Sequence, residues 1–128
     1  IAGHHLRLVG VGCDRDLKRE AAALDAALAG AEDSRYTILL YHMPDLVEEA
    51  SRRGIDLQLS GHTHGGQLRL PLFGAIITGS RFGKRYEMGA YQVGPTHLYV
   101  CRGLGLEGMG APRARFLCPP ELVHIRLT

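Results

Sequence analysis

The sequence predicts an α/β fold in which parallel βαβ units are followed by antiparallel strands. Three observations lead to this prediction. Strand-like and helical segments alternate through the first half of the chain, which is the pattern of βαβ units. Arg35–His42 is an almost continuous apolar run, typical of a strand buried on both faces. After residue 66 the pattern changes to short alternating runs between Gly/Pro turns, which indicates antiparallel pairing.

The first predicted strand and helix occupy the N-terminal quarter of the chain. His5–Cys13 is rich in apolar residues and is closed by glycines, as strands often are. We expect a helix to begin after Asp16, whose side chain is a good N-cap, and to end at Gly30. One face of this helix carries three leucines, which are Leu17, Leu24 and Leu28.

A second helix and a third strand follow the apolar run. Pro44–Gly54 has acidic residues in its first turn and arginines in its last, which suits the helix dipole. Asp45 is predicted to cap this helix and so to help fix His42, the alternative being that Asp45 is itself a metal ligand. Ile55–Ser60 is the third predicted strand.

The second half is predicted to be mostly antiparallel β-structure. Four short alternating runs suggest strands, namely QLRLP, YEMGAYQVG, THLYVC and ELVHIRLT. The segment Val93–Thr96 contains Gly and Pro and is predicted to be a hairpin turn.

Length and composition describe an ordinary globular segment. The 128 residues suffice for one domain or part of one, and the hydrophobic fraction is 45%. The chain contains neither a signal peptide nor an apolar run near the ~20 residues that cross a bilayer. Because the chain starts at Ile1 instead of a methionine, we expect residues 1–128 to be an excised portion of a single larger domain.

Cysteine content and charge narrow the class of protein. The three cysteines (Cys13, Cys101 and Cys118) have no CxxC spacing, so we expect reduced thiols and a cytoplasmic location. Residues 1–65 carry seven Lys/Arg against ten Asp/Glu, whereas residues 66–128 carry eight against three. A basic second half suits an anionic ligand. The basic residues are too sparse, and the aromatics too few, for a nucleic-acid surface.

Three histidines follow two neighbouring predicted strands. His42 ends the second strand, and His62 and His64 come just after the third. Because parallel strands end at the same edge of a sheet, these imidazoles are expected to meet there. On an extended backbone His62 and His64 would project to the same side, roughly 6–7 Å apart at ~3.3 Å per residue. That separation suits ligands on two ions ~3.5–4 Å apart.

The residues around the histidines fit a metal site. Gly61, Gly65 and Gly66 allow positive φ angles and close approach of a ligand. A nitrogen-only donor set suits zinc, manganese or iron instead of a closed structural zinc site. The alternative is that each histidine is an ordinary core or surface residue.

The string ILLYHMPD, followed twenty residues later by LSGHTHGGQ, resembles the C-terminal motifs of the calcineurin-like metallophosphoesterases. The likeness is greatest to the small bacterial branch whose last motif reads GHTHGGQ. It implies a four-layered α/β/β/α sandwich and a dinuclear centre that activates water for phosphate-ester hydrolysis. It also implies that His42 and His62 ligate one metal and that His64 ligates the other.

The N-terminal motifs of that family are absent. No DxH, GDxxD, GNHD or GNHE string occurs in the chain. We therefore expect this segment to be the C-terminal half of the enzyme, inactive alone and holding at most one metal ion weakly. The sheet edge that would meet the missing half should be exposed, so we also expect a homodimer or an exchanged strand. The alternative function is a non-catalytic metal-binding or regulatory module.

Substrate contacts are predicted more loosely. The resemblance implies a phosphorylated small molecule or lipid as substrate, and with a lipid substrate the full-length protein is expected to associate with a membrane. Three arginines are candidates for phosphate contact, the alternative being a solvated loop: Arg81, Arg85 and Arg102. Gly103–Gly108 matches GxGxxG, but nearby prolines argue against a dinucleotide fold. Gln67 is expected to brace the glycine loop, which is the segment of residues 61–66. The remaining histidines are expected to be structural or exposed, and these are His4, His5, His97 and His124.

Overall fold

The computed structural model describes residues 6–30, 35–107 and 112–128. They form one sheet with two helices on a single face, a smaller two-stranded sheet, and an irregular C-terminal segment. The elements in chain order are β1 (Leu6–Gly10), α1 (Leu17–Leu28), β2 (Tyr36–Leu40), α2 (Val47–Arg52), β3 (Leu57–Ser60), β4 (Arg69–Leu70), β5 (Gly74–Ala75), β6 (Gly89–Val93) and β7 (Thr96–Val100).

The five-stranded sheet has the order β1-β2-β3-β7-β6. The neighbours β1–β2, β2–β3 and β3–β7 are parallel, and only β6 runs antiparallel to its neighbour β7. β4 and β5 form a separate antiparallel pair. The α/β prediction is therefore confirmed, with βαβ units in the first half and antiparallel strands in the second.

Helix α1 begins where the sequence predicts. The Asp16 side chain accepts hydrogen bonds from the backbone N–H groups of Lys18 (2.9 Å) and Arg19 (3.3 Å), as an N-cap does. Leu24 is fully buried, and Leu17 and Leu28 pack against the same core. The predicted apolar face of this helix is confirmed.

Both helices pack on one face of the sheet. Val9, Leu39 and Leu98 lie in the core beneath them. The opposite face carries apolar side chains that remain exposed, of which Leu8 is 63% exposed. Leu6 and Leu40 extend this open face along β1 and β2. Within the part of the chain that the structure describes, neither helix is long and apolar enough to span a bilayer.

The second helix is shorter than predicted, and the prediction that Asp45 caps it is wrong. The segment starts as a 3-10 turn, Pro44–Leu46, and is α-helical only over α2. The Asp45 side chain makes no capping hydrogen bond. It is buried and accepts hydrogen bonds from the Ser80 hydroxyl and from the backbone N–H of Arg81 (3.1 Å) instead. The Asp45 carboxylate, which the local sequence assigned to the start of the helix, therefore accepts hydrogen bonds from a distant loop instead.

Three of the four predicted runs of the second half contain a strand, and the short strand β5 was not predicted. The hairpin turn at Val93–Thr96 is confirmed, because these two residues pair across β6 and β7. The run QLRLP contains only the two residues of β4, and ELVHIRLT forms no strand. β7 already has β3 and β6 as neighbours, and Glu121 is held by the chain just after β7. The parallel pairing of β7 with β3 was not expected from its hairpin sequence.

Some predictions concern the remaining histidines, one glycine and the cysteines. His97 and His124 are exposed, as expected. The predictions for His4, His5 and Gly108 fall outside the described residues. The three cysteines are free thiols.

Candidate metal centre

The ends of β2 and β3 bring His42 and His62 into contact. The strands are parallel and in register, with Leu40 opposite Leu59, and the N–H of Gly61 donates to the carbonyl of His42 at 3.0 Å. Nε2 of His42 and Nδ1 of His62 are 3.1 Å apart. The two ring centroids are 4.9 Å apart, and the rings are inclined at 68°. The meeting of these two imidazoles is the arrangement that the strand order predicts.

The backbone between the histidines is not extended. His62 has φ 66° and His64 has φ 48°, both in the left-handed region, whereas Thr63 is right-handed. The expectation that an extended backbone projects His62 and His64 to one side is therefore wrong. Residues with a Cβ rarely adopt this backbone conformation, which costs of order 1–3 kcal/mol per residue. Such strain is found where the surrounding structure imposes it, often at functional sites.

His64 lies in a 3-10 turn, His64–Gly66, and lines the same cavity as His62. Its Nδ1 is buried and has no hydrogen-bond partner in the described structure. Buried ring nitrogens are normally paired, so this nitrogen is free to bind a ligand, as are four other buried side-chain atoms of the described residues that have no partner. The cavity has a volume of about 600 Å³, and Arg15, Thr78 and Gln67 also line it.

The surroundings of His62 favour its neutral form. Burial lowers the pKa of His62, and the neighbouring His42 lowers it further. A backbone hydrogen bond to Gly79 acts in the opposite direction but does not reverse the shift. Since neutral imidazole is the form that ligates metals, this lowered pKa favours metal binding.

The spacing of the two ring nitrogens fits a shared cation. Metal–imidazole bonds are about 2.0–2.1 Å long, so nitrogens 3.1 Å apart would subtend an angle of about 95–102° at a common ion. That angle lies between octahedral and tetrahedral geometry. Within residues 6–30, 35–107 and 112–128, however, no group of three or more His, Cys, Asp or Glu side chains is arranged to hold an ion. The pair therefore fits as part of a ligand set that needs further donors.

The glycines after the histidines are sterically required. Gly65 and Gly66 have φ 62° and 80°. A Cβ on Gly65 would lie 2.6 Å from Sγ of Cys118, and one on Gly66 would lie 2.2 Å from the Cβ of Ala75. The loop thus needs both the conformational freedom and the small size of glycine.

Gln67 braces this loop, as the sequence predicts. Its side chain is buried and donates from Nε2 to the carbonyls of Glu107 (3.2 Å) and Pro112 (2.7 Å). Its Oε1 accepts the N–H of Glu107 at 2.6 Å. These contacts connect the glycine loop to the segments on both sides of residues 108–111.

The arginines proposed for phosphate contact lie elsewhere than the cavity wall. Arg85 pairs with Glu48 (3.1 Å) on the surface, and Arg102 pairs with Glu121 (3.2 Å). Arg81 is exposed. None of these three lines the cavity, so their role in substrate binding stays a prediction.

Arg15 is a cationic residue of the cavity wall that the sequence reasoning missed. It follows β1 in the chain, has φ 67°, and its charge contributes to lowering the pKa of His62. The strand order contained the signal that would have found it. β1 is parallel to β2, so residues just after β1 lie at the same edge as His42.

Comparison with known proteins defines the class. YkuE of Bacillus subtilis (strain 168), an uncharacterised metallophosphoesterase, is 46% identical over 103 residues, which are 80% of this chain and 35% of YkuE. The phosphodiesterase YaeI of Escherichia coli (strain K12) is 41% identical over 91 residues, 70% of this chain and 32% of YaeI. The UDP-2,3-diacylglucosamine pyrophosphatase LpxG of Chlamydia trachomatis serovar D is 35% identical over 96 residues, 70% of this chain and 28% of LpxG.

The chain belongs to the metallophosphoesterase family. It spans about a third of the length of the curated relatives it matches. No family model matches the chain, and no solved structure matches it.

Proposed function

We propose that the complete protein is a metal-dependent phosphoric ester hydrolase and that this segment supplies three of its metal ligands. The observation that carries the proposal is the 3.1 Å approach of His42 Nε2 and His62 Nδ1 at the ends of neighbouring parallel strands. The relatives YaeI, a phosphodiesterase, and LpxG, a pyrophosphatase, agree by name with this reaction class.

In the proposed site, His42 and His62 hold one divalent cation and His64 holds the second. The buried, unpaired Nδ1 of His64 and the lowered pKa of His62 support these roles. When bound, the cations would lower the pKa of a water molecule and neutralise charge on the phosphate. Zinc, manganese and iron all suit imidazole donors in an open site.

The remaining ligands are proposed to come from the rest of the protein. His42 and His62 are two donors, whereas a stable transition-metal site needs at least three from the protein. This segment alone is therefore proposed to hold at most one ion weakly and to be inactive. The open sheet face and the β1 edge are proposed to meet the missing N-terminal half, or a second copy in its absence.

The substrate is proposed to be a phosphorylated small molecule or lipid. Arg15 lines the cavity that holds His62 and His64, so its charge would favour an anionic group there. Arg81, Arg85 and Arg102 stay candidates for phosphate contact, provided that Arg85 and Arg102 leave their carboxylate partners. The free thiols of all three cysteines support a cytoplasmic location, and attachment to a membrane would follow from a lipid substrate.

The test is an assay of phosphate-ester hydrolysis by the full-length protein, expressed from the complete coding sequence. The substrates are p-nitrophenyl phosphate and bis(p-nitrophenyl) phosphate, each assayed with Mn²⁺, with Zn²⁺ and after chelation. We expect chelation to abolish activity. We expect His62→Ala to lower kcat/KM by more than about 100-fold, since losing even a group that only orients a ligand costs about 10–100-fold. His97→Ala is the matched control, because His97 is exposed in β7.

Two results would contradict the proposal. Hydrolysis that survives both chelation and His62→Ala would exclude these histidines from the chemistry. Metal binding without hydrolysis of either ester would favour the second candidate, a non-catalytic metal-binding or regulatory module. The observation that favours this second candidate is the absence of a three-ligand group in the described residues.

A further inference from the structure

The loop that carries His64, the proposed ligand of the second metal ion, is strained and must be held in place by its surroundings. His62, His64 and Gln67 all have positive φ angles (66°, 48° and 55°) although none is glycine. Such conformations persist where neighbouring groups fix them. The contacts made by the backbone of His64 therefore show what positions its imidazole.

The Arg115 side chain is the centre of these contacts. Its Nη1 donates to the carbonyls of His64 and Cys118, both at 3.3 Å. Its Nη2 donates to three further carbonyls in the segment after β7, those of Arg102 (2.9 Å), Gly103 (3.0 Å) and Gly105 (2.7 Å). Within the described part of the chain Arg115 forms no ion pair with a carboxylate. The two Nη groups thus gather main-chain oxygens, whereas the buried Nε has no hydrogen-bond partner in the described residues.

Cys118 acts on the same carbonyl from a second direction. Its side chain is 1% exposed, and its Sγ donates to the carbonyl of His64 at 3.1 Å. The same sulfur packs so closely on Gly65 that a Cβ there would lie 2.6 Å away. The His64 carbonyl is therefore fixed by both Arg115 and Cys118, and the loop cannot shift towards either side chain.

Arg115 and Cys118 together form a clamp on the His64 carbonyl, and this clamp requires arginine at position 115. A guanidinium offers five N–H donors in a rigid plane, so one side chain can bind carbonyls from several segments at once. A lysine ammonium keeps the charge but is a single donor point on a flexible stem, and it cannot span carbonyls of the loop and of the segment after β7 together. Charge-assisted hydrogen bonds to carbonyls are also stronger than neutral ones.

We propose that Arg115 is a positioning residue for His64, fixing its backbone so that the imidazole reaches the second metal ion. This inference rests on the proposed function, because it assigns Arg115 a role in metal binding. It predicts a selective effect: loss of the clamp should weaken the ion that His64 holds and leave the ion between His42 and His62 in place.

The experiment compares Arg115→Lys with Arg113→Lys in the complete protein. Arg113 is exposed two residues earlier and provides a matched change of the same type. Metal content per protein is measured after dialysis against limiting Mn²⁺, and hydrolysis of bis(p-nitrophenyl) phosphate is measured against Mn²⁺ concentration. We expect Arg115→Lys to retain one ion instead of two and to need about 10–100-fold more Mn²⁺ for half-maximal activity. Activity should recover at high Mn²⁺, and Arg113→Lys should match the wild type.

Several results would overturn the inference. Arg115→Lys with unchanged metal content and Mn²⁺ dependence would do so. A lower melting temperature with an unchanged Mn²⁺ dependence would also do so, because it would make the role purely structural. If Arg115→Lys does not fold, Cys118→Ala removes one of the two contacts to the His64 carbonyl and should raise the Mn²⁺ requirement in the same direction, and an unchanged requirement would reject the clamp. Wild-type protein that binds no metal would instead overturn the proposed function, and this inference with it.

Discussion

Glu121 shows at the residue scale how a single carboxylate can hold an irregular segment to the sheet. It accepts hydrogen bonds from the hydroxyl of Tyr99 (2.7 Å) and from the backbone N–H (3.0 Å) and Nε (3.2 Å) of Arg102. Burial alone would raise the pKa of Glu121, but these donors outweigh it and lower the pKa to about 2. The side chain is only 16% exposed, so the interaction is well shielded from solvent.

We expect Glu121→Gln to destabilise the protein at neutral pH by about 1.5–3 kcal/mol, the range for hydrogen bonds to a charged group. The folded pKa lies below the ordinary value of 4.5. This contribution is therefore full above about pH 5 and is lost as the pH falls towards 2. Thermal unfolding of both proteins between pH 7 and pH 2 measures it.

The matched control for this prediction is Glu48→Gln. Glu48 also pairs with an arginine, but its partner Arg85 is 62% exposed, and exposed ion pairs contribute little. A pH-independent difference between Glu121→Gln and the wild type would contradict the assigned role of Glu121, as would an equal effect of Glu48→Gln.

The glycine loop after His64 is the element whose packing most restricts the site. The turn His64–Gly66 lies between the β4–β5 pair and the segment around Cys118. We expect Gly66→Ala to cost about 1–2 kcal/mol for its positive φ of 80° and a further 1–3 kcal/mol for overpacking against Ala75. Chemical denaturation of the complete protein measures this loss.

Gly83→Ala separates the two costs. Gly83 also has a positive φ (56°), but a Cβ there would meet no atom within 4 Å. This variant should show only the backbone cost of about 1–2 kcal/mol. Equal destabilisation by Gly66→Ala and Gly83→Ala would show that contact with β5 does not constrain the loop.

Several of these elements could be predicted from periodicity, and others could not. The βαβ pattern placed His42 and His62 at one edge, because strand order alone decides where parallel strands end. The left-handed backbone at His64 could not be predicted, since the carbonyl of His64 is held by Arg115 and Cys118, more than fifty residues away. The same reason applies to Asp45, whose acceptor is taken by a loop thirty-five residues away.

At the scale of the whole molecule, the candidate metal site lies at the edge of the sheet where the parallel strands end. The cavity beside the histidines is lined partly by Arg15, which the sequence reasoning missed because no local motif marks it. Arg115 was missed for a similar reason, because its five carbonyl partners come from three separate segments. The matched residues make up only about a third of YkuE and YaeI, and the described residues leave one sheet face open and contain no group of three metal-ligating side chains.

The proposed hydrolase function depends on His42 and His62 sharing one cation. The most direct measurement is a crystal structure of the complete protein soaked in Zn²⁺, with anomalous data collected at the zinc edge. The account predicts an anomalous peak about 2.0–2.1 Å from both Nε2 of His42 and Nδ1 of His62. Zinc bound elsewhere, with the two rings still in direct contact through a hydrogen bond, would contradict it.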